Sequence, residues 1–298
     1  MNPALITVFT PTYNRASLLA NLYNSLKKQT NYSFIWLIID DGSSDDTQEV
    51  VERFKRDNDL FEIRYVFKEN GGLHTGYNKA IELLDTELAV CVDSDDWLVE
   101  NAIELIINKW EYVRESGCAG IVALNCLPNG AVLGEKLPAQ EFINLIDIKK
   151  GKYKSQNYDR KIIVRSDLYK EVAPQPTYNR EKNFNPHYMH LLISKNYDFA
   201  VLNEPVCVVD YQPNGMSSYI FRQYYDSPNS FAELRLLYLS FEKTSLFFRA
   251  RHSIHYVSSC ILARRKIFER RACHKALIFL MIPIGFCLSR YIILKNRR

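Results

Sequence analysis

Several familiar labels are missing from this chain. Its seven cysteines (Cys91, Cys118, Cys126, Cys207, Cys260, Cys273, Cys287) form no C-x-x-C pair. An odd, unpatterned set reads as reduced thiols of a cytosolic compartment and excludes a disulfide framework or a zinc site. Neither G-x-x-x-x-G-K-[ST] nor G-x-G-x-x-G occurs, which excludes a P-loop and a dinucleotide fingerprint. No internal repeat or low-complexity tract interrupts the 298 residues. The opening "MNPALITVFTP" has no basic leader before its apolar run and predicts a first strand, not a signal peptide. The apolar tract Ala276–Leu288, broken by Pro283 and Gly285, falls short of the roughly twenty residues that cross a bilayer.

What remains is a globular composition, 47% hydrophobic and 24% charged, long enough to bury a substantial core. The net charge of +4 hides an asymmetry: residues 243–298 hold 13 Lys+Arg against one acid, Glu269. A mildly acidic body with a basic tail suggests an anionic partner surface, nucleic acid or membrane.

The first hundred residues alternate between two periods. "LITVFT", "FIWLIID", "FEIRYVF" and "ELAVCVD" are short runs rich in β-branched and aromatic residues. Between them, Ala16–Lys28, Asp46–Arg56 and Gly76–Leu84 carry apolar residues at helical spacing. The pattern predicts an α/β fold with a doubly wound, mostly parallel sheet. Ligands bind such sheets at the carboxyl ends of the strands. There the chain places "TPTYNR", "DDGSSDD", "KENGG" and "DSDDW". A helix Val99–Glu115 and a strand "GCAGIVALNC" are expected next, then a less regular stretch with turns at "APQPTYN" and "QPNGMSS". The chain becomes helical and basic from Ser230.

"DSDDW" sets Asp93, Asp95 and Asp96 within four positions, where like charges raise one another's ionisation cost. Asp96 alone fits a cap on the helix near Val99. An EF-hand fails, because Trp97 and Leu98 fall where an oxygen ligand and a glycine belong. A hard divalent cation, manganese or magnesium, suits the set, since such ions take one or two carboxylates plus substrate phosphates. In "DDGSSDD", Asp45 and Asp46 read as solvated first-turn acids, while Asp40 or Asp41 could accept from a nucleobase imide. "NGGLHTGYN" opens a helix and could cradle phosphate.

Together, "VFTPTYNR", "IIDDGSSDDT", "NGGLHTGYNKAI" and "VDSDDWL", in this order and spacing, resemble the inverting family-two glycosyltransferases of the GT-A fold. The likeness is close over residues 4–120 and loose over 155–230. It implies a GT-A sheet, a nucleotide-sugar donor, often a UDP-sugar, and a metal-dependent inverting transfer to a saccharide acceptor. By the same resemblance Thr10, Pro11, Tyr13 and Arg15 border the nucleotide. Asp41 holds the uracil edge, and Asn70, Gly71, His74 and Asn78 line diphosphate and ribose. Asp95 is then the main metal ligand, with Asp93 on donor hydroxyls and Asp96 supporting. Gly76-Tyr77-Asn78 stands where many members have A-R-N, so a phosphate-contacting Arg is missing. The acceptor-side carboxylate base is also replaced: its expected position holds His187, with Glu181 as a rival.

These readings divide the chain into a donor half (1–120), an acceptor half (121–229) and a basic helical tail (230–298). The tail is expected to lie on an anionic membrane, with Arg264, Arg265, Lys266, Arg270 and Arg271 on headgroups. It carries no nucleic-acid recognition motif. A lipid-linked saccharide acceptor at the inner face of a bacterial cytoplasmic membrane follows as the expected setting. A nucleotidyltransferase and a non-catalytic sugar-nucleotide-binding relative are the alternatives.

Overall fold

A computed structural model describes residues 4–153, 159–211 and 219–296; the expected turn "QPNGMSS" lies wholly outside them. Two compact units emerge, and neither is a consecutive stretch of chain. The first comprises Met1–Gly71, Thr75–Pro174 and Met189–Gln212; the second comprises Gly72–His74, Gln175–Tyr188 and Pro213–Arg298.

The first unit is built on one sheet. Its strands are β1 (Ile6–Thr12), β2 (Phe34–Asp40), β3 (Glu62–Phe67), β4 (Leu88–Cys91), β5 (Trp97–Leu98), β6 (Gly120–Cys126), β7 (Phe142–Ile143), β8 (Lys161–Arg165) and β9 (Phe199–Val208). They run in the order β3-β2-β1-β4-β8-β6-β9-β5, with β7 beside β9. The leading quartet is parallel, as the apolar runs predict. Every residue of β1 and β2 is buried, the signature of strands covered on both faces. Edge strand β3 is half-exposed. The sheet is mixed beyond β4, because β8 inserts antiparallel between β4 and β6.

Helices Ala16–Lys27, Thr47–Arg56, Leu73–Glu82 and Ala102–Val113 fall within a few residues of their expected bounds. The last starts three residues later than predicted, with Asn101 at its cap. Asp96 therefore caps nothing. The intervening residues Trp97 and Leu98 instead pair with Val208 and Cys207.

In the second unit, helices Pro228–Leu239, Leu246–Leu262, Lys275–Leu280 and Ile282–Asn296 enclose a small core that includes Leu236, Tyr256, Val257 and Ile278. A buried ion cluster crosses this unit. The Glu233 carboxylate accepts from Arg265 at 3.1 Å, Arg271 at 2.6 Å and the Tyr178 hydroxyl at 3.3 Å. Glu269 pairs with both arginines as well. Two of the five tail cations expected on lipid headgroups are thus ion-paired within the protein: Arg265, largely covered, and Arg271, which stays exposed. Arg264, Lys266 and Arg270 are exposed.

One buried contact in the first unit sets a pH response. His190 Nε2 lies 2.6 Å from the hydroxyl of the fully buried Tyr169, and burial lowers the His190 pKa to about 4. The unfolded chain takes up this proton near its ordinary value of about 6.5, whereas the folded chain refuses it until about 4. The contribution is therefore complete above the unfolded value and is lost as pH falls. Between pH 6.5 and 4 it should remove about 2 kcal/mol. Denaturant melts across this range should fall less steeply for His190→Gln than for the parent; equal slopes would contradict this.

Candidate active site

From β1 the chain moves outward to β2 and β3, then returns to place β4 on the other side of β1. The carboxyl ends of β1 and β4 flank this reversal, where open α/β sheets bind ligands. Three loops are tied together at this end of the first unit. Asn14, in the left-handed region at φ 50°, donates its amide to Ser43 Oγ and accepts from the Ser44 amide, each at 2.8 Å. Asp45, exposed as expected, accepts from the amides of Ala16 at 3.1 Å and Thr47 at 3.2 Å, so it also ties two helix starts. Gly42 has φ +83°, and a Cβ there would come within 2.8 Å of the Asn70 amide nitrogen. A side chain would push the third loop away.

The acid stretch is a tight turn closed by the Asp96 amide donating to the Asp93 carbonyl at 3.0 Å. The turn sends the three carboxylates to different surroundings. Asp93 is exposed. Asp95 pairs with Arg15 at 3.1 Å, and the same guanidinium donates to Ser94 Oγ at 3.2 Å. Asp96 is buried, accepts from the Asp210 amide at 3.3 Å and faces the Lys161 ammonium at 3.8 Å. Burial raises the Asp95 carboxyl above its ordinary value; Arg15 opposes the rise and Asp93 adds to it. Burial lifts Asp96 further, to about 7, against the pull of Lys161.

Lys161 is the residue that sequence reading missed. It opens "KIIVR", an unremarkable strand start. Antiparallel pairing of Val90 with Ile163 carries this first residue of β8 to the carboxyl end of β4. There Lys161 is buried and also donates to the Cys91 carbonyl at 3.2 Å. No local pattern reveals a strand's direction in a mixed sheet, so the lysine could not be found without the topology. The Thr12 hydroxyl, at the end of β1, is buried and has no hydrogen-bond partner among the described residues.

The other expected donor residues separate into two groups. Asp41 is buried, and one of its oxygens accepts from Lys68, from the Gly71 amide at 3.0 Å and from the Thr75 hydroxyl at 3.4 Å. Asn70 donates to the Asp41 carbonyl at 2.7 Å. Asp41, Asn70 and Gly71 are thus one ordered loop. Tyr13 is exposed, while Pro11 is buried. Thr10 is fully buried and its hydroxyl accepts from Trp36 Nε1 at 3.0 Å, so its side chain serves the core. Tyr77, which stands where relatives have Arg, is buried edge-on against Phe9 with ring centroids 5.1 Å apart. That position fills the core. Asn78 lies in the same helix, Leu73–Glu82.

His74, Glu181 and His187 belong to the second unit. His74 is buried, its ring centroid 6.4 Å from that of Phe184. Glu181 is buried, and its carboxylate takes four donors. They are the Asn229 amide at 2.7 Å and side chain at 2.8 Å, and the Ser230 amide at 2.8 Å and hydroxyl at 2.6 Å. It caps the first turn of helix Pro228–Leu239, the role of an anion at a helix start. All its acceptor capacity is engaged, which corrects the expectation of Glu181 as a candidate base. His187 is partly exposed and begins the helix His187–Ile193.

Among the described residues, no three His, Cys, Asp or Glu side chains converge on a point that would hold a metal ion. Asp93 and Asp95 nevertheless supply hard oxygen donors. Two carboxylates completed by phosphate oxygens suit manganese or magnesium.

Residues 7–166, more than half of the chain, match Glycosyl transferase family 2. The chain belongs to that family. The matched span includes β1 to β8 and every acid of the strand-end turn. Among curated family relatives, the chondroitin synthase of Pasteurella multocida is 28% identical over 138 residues, 46% of this chain and 14% of that protein. The GalNAc(5)-diNAcBac-PP-undecaprenol beta-1,3-glucosyltransferase of Campylobacter jejuni is 30% identical over 106 residues, 35% of this chain and 34% of that one. The chain spans well under half the length of these relatives. Among solved structures, S. aureus TarS 1–349 in complex with UDP-GlcNAc superposes with TM-score 0.58 at 16% identity, covering 98% of this chain and 91% of that one. A Pyrobaculum calidifontis mannosyltransferase in complex with GDP-Man and Mn2+ gives 0.57 at 16% identity, covering 99% and 81%. At these identities the likeness is one of fold, and it bears out the GT-A sheet expected from the sequence.

Two substitutions test this account of the second acid layer. Lys161→Met leaves a buried carboxylate without its counter-charge and should cost about 3–5 kcal/mol by denaturant unfolding; a loss under 1 kcal/mol would contradict the pairing. Glu181→Ala should lower stability by about 1–2 kcal/mol through loss of the cap, read as a fall in melting temperature. An unchanged melting temperature would refute that capping role.

Proposed function

We propose that this chain transfers a sugar, with inversion, from a nucleotide-sugar donor, a UDP-sugar in the first instance, to a saccharide hydroxyl during cell-surface polysaccharide synthesis. The observation that carries the proposal is the acid turn after β4, bracketed by Arg15 from the end of β1. The site is electronegative enough to attract a cation and carries a guanidinium suited to a diphosphate. Membership of Glycosyl transferase family 2 and the nucleotide-sugar complexes of its structural neighbours support the same reading.

In this mechanism Asp95 and Asp93 are the residues that would hold a divalent cation, manganese or magnesium, whose chemistry there would be to offset charge on the leaving diphosphate. Asp96 supports the turn from beneath through Lys161 and the Asp210 amide. Asp41 orders Asn70 and Gly71, whose loop borders the donor, and Tyr13 offers a face to the base. His187 takes the proton from the acceptor hydroxyl, an imidazole working near neutral pH. The oxygen attacks the anomeric carbon, the glycosidic bond to the diphosphate breaks, and the nucleoside diphosphate departs. The second unit, with its basic tail, rests on an anionic membrane at the inner face of a bacterial cytoplasmic membrane. A lipid-linked saccharide acceptor fits that setting, and the Campylobacter relative's name carries the same class.

The first test is a nucleotide-sugar panel with manganese, scored by thermal stabilisation and by release of nucleoside diphosphate. One donor should stabilise the protein, since a ligand of the native state raises its melting temperature. No stabilisation by any donor would sink the proposal. Asp95→Ala should reduce transfer at least about a hundredfold. His187→Ala should lower kcat by about 10²–10⁴ while donor stabilisation stays unchanged. Retained turnover in His187→Ala would move the base elsewhere.

A further inference from the structure

The last two helices of the second unit bury one apolar side and carry a second, larger one outward. Ile278, Gly285, Ser289 and Ile292 face inward on one helical stripe. Phe279, Leu280, Ile284, Phe286, Tyr291 and Leu294 face outward, 47–65% exposed. The facing helix, Leu246–Leu262, contributes the buried Ser253, Ser258 and Ser259 to the interior. Gly285 sits so near that helix that a Cβ there would approach Val257 Cβ to 2.6 Å. A soluble amphipathic helix hides its bulky apolar side chains and shows polar ones. Here Gly285 and Ser289 join Tyr256, Val257, Ile278 and Ile292 at the helix contact, yet large apolar side chains also face outward, as on helices that meet lipid.

No helix among the described residues is long and apolar enough to cross a membrane, so these two would lie along a surface. Exposed Lys275, Arg290 and Lys295 accompany the apolar side chains, and the stretch 243–298 holds 13 cations against one acid. We propose that the outward face of Lys275–Leu280 and Ile282–Asn296 is the bilayer-contacting surface, lying in the headgroup region of an anionic membrane. Its apolar side chains enter the acyl boundary and its lysines and arginine meet lipid phosphates. The proposal rests on the membrane reading above and specifies it. Contact comes from this face, and Arg265 takes no part because Glu233 and Glu269 hold it under cover. The same unit contains the segment bearing His187, so an acceptor hydroxyl at the membrane surface would meet its base on a lipid-bound body.

The test is co-sedimentation of the full chain with phosphatidylcholine vesicles, with and without about 30% phosphatidylglycerol. The parent should bind the anionic vesicles. Phe279→Ser combined with Phe286→Ser should weaken binding at least about tenfold. Because that variant could misfold, a second readout uses Cys273→Ser with a polarity-sensitive fluorophore on the exposed Cys287. Its emission should shift to the blue on anionic vesicles. If the parent binds, but the variant binds equally and the probe does not shift, the face is wrong while the membrane reading stands. If the parent ignores vesicles and forms a dimer that the double variant disrupts, the face joins two copies and both membrane claims fall. Donor-induced stabilisation, measured on the same samples, keeps the transfer reading separate from either result.

Discussion

The site depends on how three neighbouring carboxylates are accommodated at the end of a buried strand. The fold supplies two cations from different directions. Arg15 comes from the loop after β1, next to β4 in the sheet, and Lys161 from the antiparallel strand on the other side. Two cations stand beside three carboxylates, of which burial pushes Asp95 and Asp96 above their ordinary values. A divalent cation that gains most of its ligands from a diphosphate suits such a turn. The strand order, with β4 between β1 and β8, is what makes this arrangement possible.

The three acids, adjacent in sequence, have different tasks in space. A turn and the short β5 rotate Asp96 inward while Asp93 stays exposed. Asp96 works as structure and Asp95 as the hinge between acid and guanidinium. Burial raises the carboxyl of each, and the cation beside each opposes it. A charge cluster of this kind is stable only as a set, because removing one partner exposes the desolvation penalty of the other.

The parallel quartet was legible because its strands are continuous apolar runs and its helices keep a clear period. The clustering of "TPTYNR" with "DSDDW" was legible from the rule that ligands sit at strand ends. Lys161 was not, since the direction of β8 leaves no mark on "KIIVR". Glu181 was misread for a related reason. A carboxylate before a helix in the acceptor region matches a base by position, but its four donors come from residues 229 and 230. The ion pairing of Arg265 and Arg271 was not legible, because their counter-ion Glu233 lies over thirty positions away. In each case the missing information was a long-range partner.

Glu181 is satisfied only by residues 48 and 49 positions further along the chain. On a ribosome, where chains emerge amino end first, the parallel quartet is made well before that partner exists. The acid turn is not, since Asp96 rests on Lys161 and the Asp210 amide and β5 pairs with β9. The segment around His187 in turn has to wait for helix Pro228–Leu239 before its own carboxylate is anchored. Both regions are thus completed only by residues past position 200.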